Sequence, residues 1–350
     1  MKEDSYTWQE ITSQPRIWRL TSEEFDKNLD SLSTFLERVE YKQILVIGCG
    51  STFYLSQSVA RTIAHYTGNP AFAAPSSDLY FFPEMTAPEG TLLIAISRSG
   101  TTTETLWAME RFRKQIGGPV IMITCNPDKN LTKLADFVLV APDAQEQSIA
   151  QTRSFTSMLL LSQGLVSVLA RDPKIWQQSL KLPGILEQIE QDLGKMPEKI
   201  GAELEISHFV FLGSGSLYGL ANEVMLKSKE ISLTFSEAYH TMEVRHGPMS
   251  MVDKNSLVIG FLTDTAQEEQ RRVLRDMQDL GAKVLVVIED SSTISEFKPE
   301  YLVELNSGIG EWIRGPLYLP AIQRIAYHRA IAKGLDPDKP VNLEAVVKLQ

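Results

Sequence analysis

The chain has 350 residues, 34 basic against 44 acidic, and a net charge of -10. That length supports two domains with sizeable cores, and that charge argues against nucleic acid or an anionic membrane as the main partner, while leaving room for a local phosphate pocket. Two cysteines, Cys49 and Cys125, are too few for a disulfide scaffold or a zinc site. The opening MKEDSYTWQE lacks an apolar signal core and no run reaches the roughly 18 apolar residues of a membrane helix, so a cytoplasmic protein with a small-molecule partner is expected.

In chain order, Tyr6 to Leu36 reads as amphipathic helix, with Ile17, Trp18, Leu20, Phe25, Leu29, Leu32 and Phe35 as its apolar stripe and Thr21 with Glu24 as a capping box. The run Gln43 to Ile47 is a strand. Gly48, Gly50, Ser51 and Thr52 then lead into a helix through His65, whose N-terminal N–H groups suit an anion, with the Ser51 and Thr52 hydroxyls as extra donors. A second strand, Thr91 to Ile96, runs into Ser97-Arg98-Ser99-Gly100-Thr101-Thr102-Thr103-Glu104 and a helix to about Ile116. Hydroxyls clustered around one glycine at such a turn form either an anion nest or a set of caps that only close the helix end. Neither GxxxxGK[ST] nor GxGxxG is present, so a phosphate monoester is the simplest ligand, and no cofactor or metal is expected. Strands follow at Val120 to Thr124 and Phe137 to Val140, then an apolar helix from Thr152 to Leu169, with Ile175 to Met196 bridging onward.

The pattern then recurs. Gly48 and Gly50 in ILVIGCGST correspond to Gly213 and Gly215 in FVFLGSGSL, an offset of 165. Glu104 to Gly117 corresponds to Glu268 to Gly281, Val120 to Val284 and Phe137 to Tyr301, each at 164. Strand and helix alternation implies parallel sheets covered on both faces. The expected fold class is α/β, with two tandem doubly wound parallel-sheet domains of three-layer, flavodoxin-like form. The expected divisions are 1–35 as a helical extension, 36–190 and 191–335 as the two domains, and 336–350 as a tail. Where the first copy has SRSGTTTE, the second has Phe261-Leu262-Thr263-Asp264-Thr265, with no glycine and an added carboxylate, which assigns the phosphate site to the first copy.

The second copy carries LKSKEISLTFSEAYHTMEVRHGPM, from Leu226 to Met249, dense in titratable groups. Lys227 and Glu230 lie three apart on one helix face, so an ammonium could hold the carboxylate ready as a general base; the plainer reading is a solvated salt bridge. His246, before Gly247-Pro248, sits at a chain turn where it could move a proton near neutral pH, or serve structure alone.

Tandem copies, a serine-rich turn in the first and KEISLTFSEAYHTMEVRHGP in the second together resemble the double sugar isomerase (SIS) domain, as in the isomerase half of glucosamine-6-phosphate synthases. QEITSQP at Gln9 to Pro15, IAQTRSFTSM at Ile149 to Met158 and PLYLPAIQRIAYHRAIAKGLDPDKPVNL at Pro316 to Leu343 extend the likeness over nearly the whole chain. The resemblance implies that Ser51, Thr52, Ser97, Arg98, Ser99 and Thr102 bind the phosphate of a sugar phosphate, with Ile149 also at the sugar and Arg98 standing where the synthases have glutamine. It implies further that Glu230 moves a proton between C1 and C2, that Lys227 supports it, and that His246 assists ring opening from the partner subunit of a homodimer. Two departures matter. There is no glutaminase region with its N-terminal cysteine, so no amidotransferase activity is expected by that route. The synthase tail NLAK, with its Schiff-base lysine, reads here Asn342-Leu343-Glu344-Ala345, and Lys348 is the nearest tail lysine. The expectation is an amino-sugar-phosphate deaminase/isomerase, converting glucosamine 6-phosphate to fructose 6-phosphate and ammonia. A fructosamine-6-phosphate deglycase or a simple isomerase is the alternative, and a non-enzymatic sugar-phosphate sensor is the contrasting class.

Overall fold

A computed structural model describes residues 5–127, 130–294 and 296–344. The chain divides into two compact units. One, built of Ser13–Glu146 and Gln151–Lys181, holds β1 (Gln43–Gly48), β2 (Ala71–Pro75), β3 (Thr91–Ser97), β4 (Val120–Thr124) and β5 (Phe137–Val140). The other, built of Leu182–Leu343 with Gln147–Ala150 and the helix Tyr6–Thr12, holds β6 (His208–Gly213), β7 (Phe235–His240), β8 (Ser256–Phe261), β9 (Lys283–Ile288) and β10 (Tyr301–Glu304).

Each sheet is parallel throughout and flanked by helices, in the orders β2-β1-β3-β4-β5 and β7-β6-β8-β9-β10. Strands covered on both faces read as continuous apolar runs: every residue of β3, β4, β6 and β8 is buried. Each fully buried Leu, Ile or Val there contributes about 1.5–3 kcal/mol. Two glycine positions recur because the geometry demands them. A Cβ on Gly48 would lie 2.4 Å from the Thr52 carbonyl and one on Gly213 would lie 2.5 Å from that of Leu217, so only glycine lets the following helix start against its strand. Gly50 and Gly215 have φ of 55° and 59°, the left-handed turn that aims that helix back along the sheet.

Several expectations change. Thr21 does not cap a helix: Pro15 starts the helix earlier, at Gln14–Arg38, and the buried Thr21 hydroxyl has no hydrogen-bond partner. The N-terminal residues expected as one extension are shared out. The helix Tyr6–Thr12 is held by Asp338, which accepts from the Tyr6 and Thr7 N–H groups at 3.0 and 2.7 Å. The helix Gln14–Arg38 packs on the helix Arg153–Leu169 in the other unit, where Trp18 Nε1 donates to Thr156 Oγ1 at 2.9 Å. The bridge expected over Ile175 to Met196 contains the helices Pro173–Ser179 and Leu182–Leu193. Among the described residues no helix is long and apolar enough to cross a membrane.

Candidate functional site

In the order β2-β1-β3-β4-β5 the chain runs from β1 to β2 on one side and from β3 to β4 on the other, so the order reverses between β1 and β3, the place where such a sheet offers a crevice beyond the carboxyl ends of its strands. Both serine-rich turns lie there. After β1, Ser51 and Thr52 are buried in the first turn of the helix Ser51–Thr67. Thr52 Oγ1 accepts from Cys49 N at 2.9 Å and donates to Cys49 O at 3.0 Å, so this hydroxyl also locks the turn's shape. Burial pushes the Cys49 thiol up, away from a reactive thiolate, although Ser76 and Thr105 beside it act the other way. After β3, Ser97 Oγ lies 3.2 Å from Thr102 Oγ1, and Ser99 Oγ accepts from Thr101 N and Oγ1 at 3.2 and 3.1 Å. Thr102 is the N-cap of the helix Thr103–Gln115 but makes no side-chain capping bond, and this weakens the reading of the cluster as caps.

Arg98, expected at the phosphate, is paired with an acid. Its side chain is buried and its Nη1 lies 3.0 Å from Glu146 Oε2, whose side chain is wholly buried. The guanidinium charge is thus matched within the protein, by an acid whose sequence context gave no sign of the pairing.

The corresponding turn after β8 is closed. Glu311 accepts from the N–H groups of Asp264 and Thr265 at 2.8 and 3.4 Å, the donors an anion would use. Arg314, buried, grips both Asp264 oxygens and lies 3.5 Å from Glu289.

Lys227 and Glu230 come together, and not as a solvated bridge. They lie on the helix Leu217–Ser232, with the lysine side chain 1% exposed and that of Glu230 13%. Lys227 Nζ contacts Glu230 on one side and lies 3.4 Å from the wholly buried Glu223 on the other. Glu223 was missed, although positions 223, 227 and 230 fall on one face at i, i+4 and i+7. Glu230 sits in the last turns of a helix that runs antiparallel to β6, toward the amino ends of the strands. Ile149 belongs to the same unit: Ala150, next in sequence, packs against Ile231, and Glu10 accepts from Gln147 N and Ser148 N at 2.6 and 3.2 Å. His246 lies exposed after a short turn, Glu243–Arg245, its N–H donating to Glu243 O at 2.9 Å, ahead of Gly247 at φ 127°. Among the described residues no three His, Cys, Asp or Glu side chains are placed to hold a metal. Ala345 and Lys348 lie outside the described residues.

The family model for the SIS domain matches residues 39–167 and 205–311. The isomerizing glutamine–fructose-6-phosphate aminotransferase of Legionella pneumophila (strain Lens) is 29% identical over 97% of this chain, which spans 58% of that protein's length. Among solved structures, the glucosamine-6-phosphate deaminase of Thermotoga maritima is 30% identical, with 99% of this chain and all of that chain covered and a TM-score of 0.81. The tagatose-6-phosphate ketose/aldose isomerase of Escherichia coli is 26% identical, with 95% and 94% covered and a TM-score of 0.86. With more than half of its residues inside two matches to one model, this chain belongs to the SIS domain family.

Proposed function

We propose that the chain is a phosphosugar aldose–ketose isomerase that acts as an amino-sugar-phosphate deaminase, taking glucosamine 6-phosphate to fructose 6-phosphate and ammonia. The observation that carries this reading is Glu230, a mostly buried carboxylate touching the ammonium of Lys227, since a base held beside a fixed cation is what proton transfer between adjacent sugar carbons requires. Ser97, Ser99 and Thr102, with Ser51 and Thr52, hold the phosphate by hydroxyl and N–H dipoles. His246, exposed and following a tight turn, protonates the ring oxygen as the ring opens, and works in the site of a partner copy in a homodimer.

In the open-chain aldehyde, Glu230 takes the C2 proton, leaving an enolamine, and returns a proton to C1. A second proton passes from the C2 nitrogen to O1, so the amine becomes a C2 imine and C1 a hydroxymethyl carbon. Water adds at C2 and ammonia leaves, giving the ketose. The end-to-end similarity to the Thermotoga maritima deaminase supports the amino sugar as substrate. A second reading, simple aldose/ketose isomerisation, draws support from the similarity to the tagatose-6-phosphate isomerase. One experiment separates them: a panel of hexosamine, fructosamine and plain hexose 6-phosphates is incubated in deuterated water, with ammonia, ketose and label at C1 and C2 measured. Ammonia with ketose from glucosamine 6-phosphate is expected. Glu230→Gln should lower kcat by roughly 10² to 10⁴ while the fold and substrate affinity persist. Label exchange at the wild-type rate in that variant would remove Glu230 as the base, and ketose formed only from plain aldoses would favour the second reading.

A further inference from the structure

The loop from Ser97 to Thr102 bonds mostly to itself: Ser97 with Thr102, and Ser99 with Thr101. Among the described residues, Arg98 is the one whose side chain is seen to tie this loop to a group outside it, through an ion pair with Glu146. Glu146 is fully engaged. One oxygen accepts from Thr152 N, from Thr152 Oγ1 at 2.9 Å and from Ser154 N at 3.1 Å; the other accepts from Arg98 Nη1 and Ser154 Oγ. Thr152 is the N-cap of the seventeen-residue helix Arg153–Leu169 and makes no side-chain cap of its own, so Glu146 supplies the cap and meets the positive end of the helix. The backbone of Arg98 is tied as well, since its carbonyl accepts from Cys125 N and Thr124 Oγ1, both at 3.3 Å, at the end of β4.

We infer that Glu146 is a positioning residue for phosphate recognition: by fixing Arg98 against the capped helix, it sets the two serine hydroxyls on either side of Arg98. This rests on the reading that Ser97, Ser99 and Thr102 hold the phosphate. A consequence is that the loop offers the phosphate dianion hydroxyls and N–H groups rather than a free guanidinium, because the charge of Arg98 is already matched. Loosening the loop therefore weakens phosphate binding, in ground and transition states alike, even though neither Arg98 nor Glu146 takes part in proton transfer.

The test uses the full chain and two probes, fructose 6-phosphate and inorganic phosphate, with binding followed by calorimetry and turnover followed in parallel. Glu146→Gln keeps a carbonyl to accept from the helix N–H groups but loses the charge that holds Arg98, while Arg98→Met cuts the loop's tether and leaves the helix cap intact. Each variant should weaken binding of both probes and raise KM by about 10-fold, with kcat at saturation changed less than about 3-fold. The double variant should lose no more than either single, because the two side chains act as one link. Arg98→Lys, which keeps the charge, should recover part of the affinity. A merely structural role would instead lower Tm and leave the KM of the folded fraction unchanged. If Glu146→Gln fails to fold, Arg98→Met alone decides. Wild type that binds both probes, with Arg98→Met binding equally well, overturns this inference alone; wild type that binds neither overturns the functional reading and this inference with it.

Discussion

Replacing Lys227 with methionine removes one cation from between two acids while keeping a side chain of similar length. Its Nζ lies 3.4 Å from Glu223 and in contact with Glu230, and its side chain is 1% exposed. At an effective dielectric of about 20, a pair 3.4 Å apart attracts by about 5 kcal/mol. Much of that is offset by the several kcal/mol each ion loses on leaving water. The variant keeps the desolvation of Glu223 and Glu230 and forfeits the attraction, so it should lose about 3–5 kcal/mol, as buried pairs do when one partner is deleted. For a unit of this size that is a fall in Tm of roughly 6–20 °C. Thermal unfolding should be compared with that of the double variant Glu223→Gln with Lys227→Met, which removes one stranded charge and should return about half of the loss. Turnover of the folded single variant should also fall, since the ammonium that contacts the Glu230 carboxylate is gone. A Lys227→Met chain that melts within about 2 °C of wild type and turns over normally would refute the account of the lysine as the link between the two acids.

Ser97→Ala and Ser99→Ala should each raise KM by about 10-fold with a smaller effect on kcat, because a non-reacting phosphate is held equally in ground and transition states; unchanged KM in both would place the phosphate elsewhere. Mixing inactive Glu230→Gln and His246→Ala chains should restore activity once subunit exchange is shown by mass spectrometry of tagged chains, and background activity after exchange would confine His246 to its own subunit. Glu203 tests the acid limb of stability. Burial, the largest single influence, raises its carboxyl, but hydrogen bonds from Lys283 and Tyr301 outweigh it and the net direction is below the ordinary 4.5. A carboxyl lowered by folding contributes stability above pH 4.5 that is lost as pH falls through its folded value. Wild-type Tm should therefore drop more steeply below pH 4.5 than that of Glu203→Gln, and parallel curves would show that the bonds to Lys283 and Tyr301 contribute nothing.

The interior strands were legible because burial on both faces leaves a composition signal: QILVIG, TLLIAIS and VIMIT admit little but apolar side chains. The edge strands β2 and β7 were not. AFAAP is only partly buried and ends in proline, and FSEAYH alternates Phe, Glu and Tyr with small residues and has an exposed Phe235, so neither stands out from loop. The Lys227–Glu230 pair was visible from local spacing, whereas its burial was not, because burial depends on residues elsewhere in the chain. The same holds for Glu146, whose guanidinium partner is 48 positions away, and for Glu10, which holds a loop 137 positions on. Local pattern fixes which acids share a helix face with a base; it carries no trace of acids that meet a loop through the fold.

The asymmetry between the two copies has a different cause from the one the turn sequences suggested. A missing glycine and an added Asp264 look sufficient to abolish an anion site, yet Arg314 takes both oxygens of Asp264, so that charge is neutralised. What closes the turn is Glu311, 47 positions farther along, bonded to the N–H groups of Asp264 and Thr265. An internal carboxylate there removes the donors a phosphate needs and adds like charge beside it. At the turn after β3, no carboxylate among the described residues bonds to positions 99–102, and the hydroxyls bond one another and, through Ser99 Oγ, the Thr101 N–H. Hydroxyl pairs exchange partners at little cost, whereas a carboxylate seated on two N–H groups must be displaced against both hydrogen bonds. Two switch points of the same topology therefore differ through one acid: after β8 the N–H groups of Asp264 and Thr265 are held by Glu311, whereas after β3 the Thr101 N–H meets only a hydroxyl, that of Ser99.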